Sequence, residues 1–187
     1  PARDVPAEAH RRFRADLQSA RAQRQAQVAE GARVHEERKQ AVAAWVATHG
    51  TPEQQARHAA GLLPMDAAVA AMTDEAFTPL AEYPRYVRDG GLCLEAFLRQ
   101  SPRYANAVVT PSDFKSSGRR ATRATAAQWA LLQKMQAMLP AATVVLQIRE
   151  LEWLVDPQAP HLIQHVLVVS QTVGAVQLRR EYQAPDA

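Results

Sequence analysis

A run of positive charge immediately precedes a predicted helix in the segment DFKSSGRRATRAT, residues 113–125. Thr125 and Gln128 have the spacing of a capping box, so the helix begins after the last of these cations. A cation near the positive end of a helix dipole is unfavourable by about 0.3–1 kcal/mol. An anion at the same place would instead be bound by the basic side chains and by the free backbone N–H groups of the helix. We therefore expect this basic loop (residues 115–123) to contact an anion or a phosphate; the alternative is a surface loop paired with the acidic region 51–114. Its cations, which follow Asp113 without any acidic residue, are Lys115, Arg119, Arg120 and Arg123.

A second basic cluster lies near the start of the chain. At 100° per residue, Arg11, Arg14 and Arg21 fall within about 80° of one another on a helix, and Arg12 and Arg24 flank them. Such a stripe can follow a phosphate backbone, and each neutralised phosphate adds to the salt dependence of binding. The alternative is a solvated helix face with no ligand.

The tripeptide Pro-Arg-Tyr occurs twice, in two proline-containing loops. Arginine beside tyrosine can neutralise a phosphate while the ring stacks on a base, which is the chemistry of single-strand binding. Tyrosines in such loops also commonly pack over the edge of a core, and that interpretation stays open. The weaker contact candidates are Arg85, Tyr86, Arg103 and Tyr104.

Residues that could support catalysis or metal binding do not form a usable pattern. His161 and His165 belong to a predicted strand, where their rings would lie about 13 Å apart, too far for one metal ion. Cys93 is flanked by leucines and is the only cysteine, which excludes an internal disulfide and a cysteine-rich zinc site. The sequence has no Gly-x-Ser-x-Gly elbow, Walker motif or dinucleotide fingerprint. We therefore expect no enzyme activity, no cofactor and no metal.

Two carboxylates, Glu150 and Glu152, share one face of the first long predicted strand. A carboxylate pair can carry out acid–base chemistry, but here no nucleophile or arginine clamp accompanies it. Cross-strand ion pairing with Arg179 or Arg180 is the simpler expectation.

Composition and charge limit the class of protein. The chain has 187 residues, 47% of them hydrophobic, and a net charge of +3. The charge is segregated: residues 115–141 hold five basic and no acidic residues, whereas residues 51–114 hold five basic and eight acidic ones. No apolar run approaches the roughly 18 residues of a membrane span, and no signal peptide is evident. We expect a cytoplasmic protein without membrane contact, and the alanine- and arginine-rich composition suggests a bacterial source.

Residues 7–48 predict one long helix of about 60 Å at 1.5 Å per residue. Phe13 and Leu17 lie near its start and Val42 and Val46 near its end, but Val28 is the only large apolar residue between positions 18 and 33. A helix without an apolar stripe is not held by packing. We therefore expect residues 1–50 to be an extended arm, solvated or awaiting a protein partner or a second copy.

A small helical region is predicted over residues 51–114. Thr51 and Gln54 form a capping box, Gly61 ends the first helix, and a second runs over 64–76. A third short helix covers 92–100. The helix–glycine–helix pattern resembles a helix-turn-helix, but the second helix carries only acidic charges and would repel phosphates.

The last region, residues 115–187, predicts a helix over 125–139 followed by strands over 143–155, 161–173 and 175–183. The stripe Trp129, Leu132, Met135 or Gln136, and Leu139 would cover the apolar face of the sheet. The fold class is thus α+β: a long N-terminal helix and small helical region, then a helix packed on a three-stranded antiparallel meander. Residues 51–187 are expected to form one compact unit.

Together these features favour a non-enzymatic protein that contacts the phosphate backbone of DNA or RNA, largely without sequence specificity. The basic loop and the arginines of the first helix would make the contacts. The alternative is an assembly subunit that docks through the long first helix, residues 7–48, onto a protein partner or a second copy.

Overall fold

The computed structural model describes residues 7–83, 94–118 and 124–184. Within these ranges the chain forms five α-helices, four β-strands and three single-turn 3₁₀ helices. The helices and strands are α1 (Ala7–His49), α2 (Pro52–Ala59), α3 (Met65–Ala76), α4 (Leu94–Gln100), β1 (Phe114–Ser116), α5 (Ala126–Met138), β2 (Thr143–Trp153), β3 (Leu162–Val173) and β4 (Val176–Gln183). Contacts divide the chain into two compact units, Pro1–Ala68 with Gly174–Val176, and Val69–Val173 with Gln177–Ala187.

The long N-terminal helix predicted from the sequence is confirmed, and it runs through Gly31 without interruption. Val42 and Val46 are its buried residues. Within the first unit, α2 is tied to α1 because the Gln55 side chain donates to the Ala47 carbonyl at 3.2 Å. Only the C-terminal end of α1 is therefore fixed by burial.

Both predicted capping boxes are present. The Thr51 hydroxyl accepts from the Gln54 N–H and the Gln54 side chain returns a bond to the Thr51 N–H. Thr125 and Gln128 make the same two bonds at the start of α5. The helices begin where the local sequence places them because the caps satisfy N–H groups that no helical carbonyl can reach.

The sheet is antiparallel and has the strand order β1-β2-β3-β4. The prediction of three strands was therefore incomplete. The additional strand β1 pairs with β2, and Phe114 lies opposite Trp153. It lies in a stretch predicted as irregular because three residues carry no readable alternation, and the apolar pair that stabilises them is formed only in the folded chain.

Helix α5 packs on the sheet next to β2. The Gln136 side chain accepts from the Val144 N–H at 3.0 Å and donates to the Ala142 carbonyl at 2.7 Å. Met135 and Leu139 are buried as predicted, but Trp129 is 51% exposed. Gln128 takes the buried position because its Nε2 lies 2.6 Å from Nδ1 of His165 in β3.

An aromatic cluster fills the core between α4, β1 and β2. The Phe97 ring is fully buried and meets the edges of Phe114 and Trp153 at centroid distances of 5.2 and 5.6 Å. Edge-to-face pairs of this kind add about 0.5–1.5 kcal/mol each beyond area burial. They anchor α4 and the short strand β1 on the sheet.

Candidate nucleic-acid interface

The first part of α1 is a solvated helix. Residues 7–37 are exposed throughout, which at 1.5 Å per residue is about 46 Å of helix. The sequence of this segment is mostly alanine, glutamine, arginine and glutamate, which are strong helix formers. The segment therefore presents its side chains to solvent along its whole length.

Some cations of α1 are neutralised on the helix itself. Arg12 pairs with Glu8 at 2.7 Å, and Arg33 pairs with both Glu30 and Glu37. Hydrogen bonding to Glu30, followed by the negative charges of both glutamates, raises the pKa of Arg33. These pairs are exposed and add little stability, but their cations already have anionic partners.

Four arginines in the exposed part of α1, residues 7–37, differ from Arg12 and Arg33. Within the part of the chain that the structure describes, no carboxylate lies at ion-pair distance from Arg11, Arg14, Arg21 or Arg24. They occupy an arc of about 140° around the helix axis at 100° per residue. Asp16, the only acidic residue between positions 9 and 29, lies about 150° from the centre of that arc. We call this surface the arginine arc.

Lys115 of the basic loop lies on β1, directly opposite Glu152 of β2. Its Nζ is 3.6 Å from Glu152 Oε2. A phosphate at Lys115 would therefore compete with a carboxylate that is already present. This cation is less available than the arginines of the arc.

Arg103 and Tyr104 lie in a 3₁₀ turn beside the aromatic core. The Tyr104 ring is 4.8 Å from the Trp153 ring, and its hydroxyl donates to Asp156. That hydrogen bond is the main reason why the pKa of Tyr104 is raised and the pKa of Asp156 is lowered. The Arg103 guanidinium lies over the Tyr104 ring at 5.6 Å from its centroid. Tyr104 thus has packing partners in the protein, whereas Arg103 is exposed.

Five predicted contact residues fall outside the described ranges, so their arrangement stays a prediction. On the N-terminal side of the basic loop the described chain ends at Gly118, whose φ of +71° favours glycine. On the C-terminal side, the capped start of α5 follows at Thr125. The five residues are Arg85, Tyr86, Arg119, Arg120 and Arg123.

The carboxylates of β2 have different partners from those predicted. Glu150 pairs with His161 and Glu152 with Lys115. The predicted pairing with Arg179 or Arg180 was wrong because Lys115 lies directly opposite Glu152 and His161 lies beside Glu150. Those two arginines pair instead with Glu181 and Asp74.

The prediction from the sequence treated Arg12 and Arg24 alike, although the spacing of the acidic residues around them differs. Arg14, Arg21 and Arg24 have no acidic residue three or four positions away, the distance at which helical ion pairs form. Arg11 and Arg12 both have Glu8 within that distance, and the structure assigns it to Arg12. The i,i+4 arrangement with the acid first is the favoured one.

The described residues form neither a cluster suited to a metal ion nor a helix suited to span a membrane. None of their His, Cys, Asp and Glu side chains gathers into a group of three or more suited to a metal ion. Their helices include none with the length and apolar character of a bilayer span.

Comparison with protein-family models, curated proteins and solved structures gives no match to this chain. The function is therefore inferred from the chain's own residues.

Proposed function

We propose that this protein is a non-enzymatic nucleic-acid-associated protein that contacts the phosphate backbone through α1. One observation carries the proposal: the exposed part of α1, residues 7–37, holds four arginines with no carboxylate partner among the described residues, whereas Arg12 and Arg33 in the same part are ion-paired. A polyanion would supply the missing negative charge. Contacts to phosphate carry no sequence information, so binding is largely independent of sequence.

The energetic basis is counterion release. Each phosphate that an arginine neutralises frees condensed cations, and the logarithm of the affinity falls by about 0.9 for each tenfold rise in salt per contact on duplex DNA. An arginine already paired with a glutamate contributes less to the free energy of binding, because its ion pair with the glutamate must first be broken. The unpaired arginines are thus the ones expected to dominate the salt dependence.

The basic loop is proposed as a second contact. Arg119, Arg120 and Arg123 would meet phosphate together with the first N–H groups of α5. Lys115 contributes less because Glu152 lies 3.6 Å away. Arg103 is retained as a peripheral contact, and Tyr104 is not, since its ring and hydroxyl are engaged in the protein.

The test is a binding titration of the full chain with labelled single- and double-stranded DNA and RNA at several salt concentrations. It compares the wild type with two variants, one with the four arc arginines changed to glutamine and one with Arg119, Arg120 and Arg123 changed to alanine. We expect micromolar binding at about 50 mM salt that weakens in both variants. Absence of binding to every nucleic acid at that salt would refute the proposal.

A second candidate function is assembly through α1. Phe13 and Val28 are 65% and 68% exposed, and with Leu17 they fall within about 60° of one another on the helix. The buried residues Val42 and Val46 lie in the same sector. The exposed apolar side chains thus continue the face that is buried at the other end of the helix, as a docking helix requires.

Assembly of this kind predicts a concentration-dependent mass in light scattering and weak dependence on salt. Changing Phe13, Leu17 and Val28 to alanine would abolish it. Val34→Ala is the matched control, because Val34 is also exposed but lies about 60° outside that sector. A monomer at all concentrations would exclude self-association.

A further inference from the structure

The arginine arc contains more than cations. Between its edges at Arg24 and Arg11 lie two glutamines, Gln18 and Gln25, and two exposed apolar side chains, Leu17 and Val28. Arginine, glutamine and small apolar side chains are the groups that contact guanine, adenine and the thymine methyl in the major groove. Gln25 lies about 30° and Gln18 about 50° from the centre of the arc, so both lie on the face that its arginines share.

The angular order of these side chains suits a groove. Arg11 and Arg24 lie about 70° on either side of the centre of the arc, whereas Gln25, Arg14 and Arg21 lie within about 30° of it. In a groove, side chains at the edges of the buried face meet the two phosphate walls and central ones meet the floor. Asp16 would point away from the nucleic acid.

The dimensions of α1 agree with one form of duplex. A helix with side chains is about 10–12 Å across, and the major groove of B-form DNA is about 12 Å wide. Arg11 and Arg24 are about 20 Å apart along the axis. The exposed length of about 46 Å lets this part of the helix enter a groove without the rest of its unit.

Other nucleic acids fit less well. The major groove of A-form RNA is deep and too narrow for side chains to read. Single strands are bound by stacking on aromatic rings, and Phe13 is the only aromatic residue of α1 before Trp45. The residues of the arc therefore favour a B-form duplex.

We infer that the nucleic acid bound by this protein is B-form double-stranded DNA, and that α1 lies in its major groove with the arginine arc facing the base pairs. This inference rests on the proposed function. It adds to that function the identity of the ligand, the groove that is occupied, and a contact role for Gln18 and Gln25.

The experiment is a competition series with the full chain. A labelled DNA duplex is displaced by unlabelled duplexes and single strands of DNA and RNA of equal length and sequence. A further DNA duplex carries glucosylated hydroxymethylcytosine, which fills the major groove, and a parallel sample contains netropsin, which occupies the minor groove. We expect the duplex of DNA to compete about tenfold better than the duplex of RNA, and glucosylation to weaken binding by a similar factor. Netropsin should have little effect.

Each outcome has a distinct meaning. Equal affinity for duplex RNA, preference for single strands, or sensitivity to netropsin without sensitivity to glucosylation would overturn the inference and leave the proposed function standing. Failure to bind any nucleic acid would overturn the proposed function itself. Changing Gln18 and Gln25 to alanine should weaken binding to DNA duplex without changing the salt slope, since neither residue carries charge. An altered slope in this uncharged variant would contradict the inferred contacts.

Discussion

Replacing Arg11 and Arg24 by glutamine removes two unpaired charges from the edges of the arginine arc, which would meet the two phosphate walls of the groove. Neither guanidinium has an ion-pair partner within the described ranges, and both positions are exposed. Glutamine is also a strong helix former. The change should therefore leave α1 folded, so that any effect on binding reports on the lost charges.

The size of the effect follows from counterion release. Two phosphate contacts on a B-form duplex contribute about 1.8 to the slope of log affinity against log salt, at 0.9 per contact. Over a rise from about 50 to about 200 mM salt, those two contacts alone account for about a twelvefold loss of affinity. The variant should bind more weakly at low salt and should lack that part of the slope.

A matched control removes the same charge from paired positions. Arg12 and Arg33, changed together to glutamine, also lower the net charge by two, but their guanidinium groups are bound to Glu8, Glu30 and Glu37. Fluorescence anisotropy with a labelled DNA duplex gives both slopes, and circular dichroism checks the helix content. An equal fall of the slope in both variants would show that only net charge matters and would refute the reasoning. An unchanged slope in the Arg11/Arg24 variant would refute it as well.

Three further predictions concern stability, each measured by urea denaturation. Thr125→Ala removes the cap of α5 and should cost about 1 kcal/mol, whereas Thr125→Ser keeps the hydroxyl and should cost much less; equal costs would contradict the capping role. Hydrogen bonding to Arg149 is the main cause of the lowered pKa of Glu181, so the pair stabilises the fold above pH 4.5 and this stabilisation is lost as the pH falls through the lowered value. Glu181→Gln should thus destabilise the protein at pH 7 and approach the wild type as the pH falls below the lowered pKa, and a constant difference would argue against the ion pair. Gly174, in the two-residue turn between β3 and β4, has a φ of +58°, and a Cβ at this position would lie 3.2 Å from the Cβ of Ala41, so Gly174→Ala should cost about 1 kcal/mol or more; an unchanged stability would contradict this account.

The parts of the fold that could be predicted are those specified by local chemistry. The capping residues Thr51 and Thr125 each mark a helix start through bonds to a residue three positions ahead. The three long strands were predicted within one or two residues at each end. Their β-branched residues, and the turn at Gly174, determine them without reference to the rest of the chain.

The features that were missed depend on contacts between distant residues. Strand β1 exists because Phe114 meets Trp153 across the sheet, which no local pattern reveals. The buried face of α5 includes Gln128 because His165 accepts its hydrogen bond, and Trp129 is left half exposed. In the candidate site, the sequence located the basic clusters but could not choose between Arg11 and Arg12 as the partner of Glu8.

The most direct test of the central claim is NMR spectroscopy of the arginine Nε–Hε groups in the full chain, titrated with a DNA duplex. Single arginine-to-glutamine variants assign the signals. The proposed interface predicts saturable shifts at Arg11, Arg14, Arg21 and Arg24 and much smaller shifts at the ion-paired Arg12 and Arg33. Shifts that spare all four arginines of the arc, or their absence altogether, would contradict it.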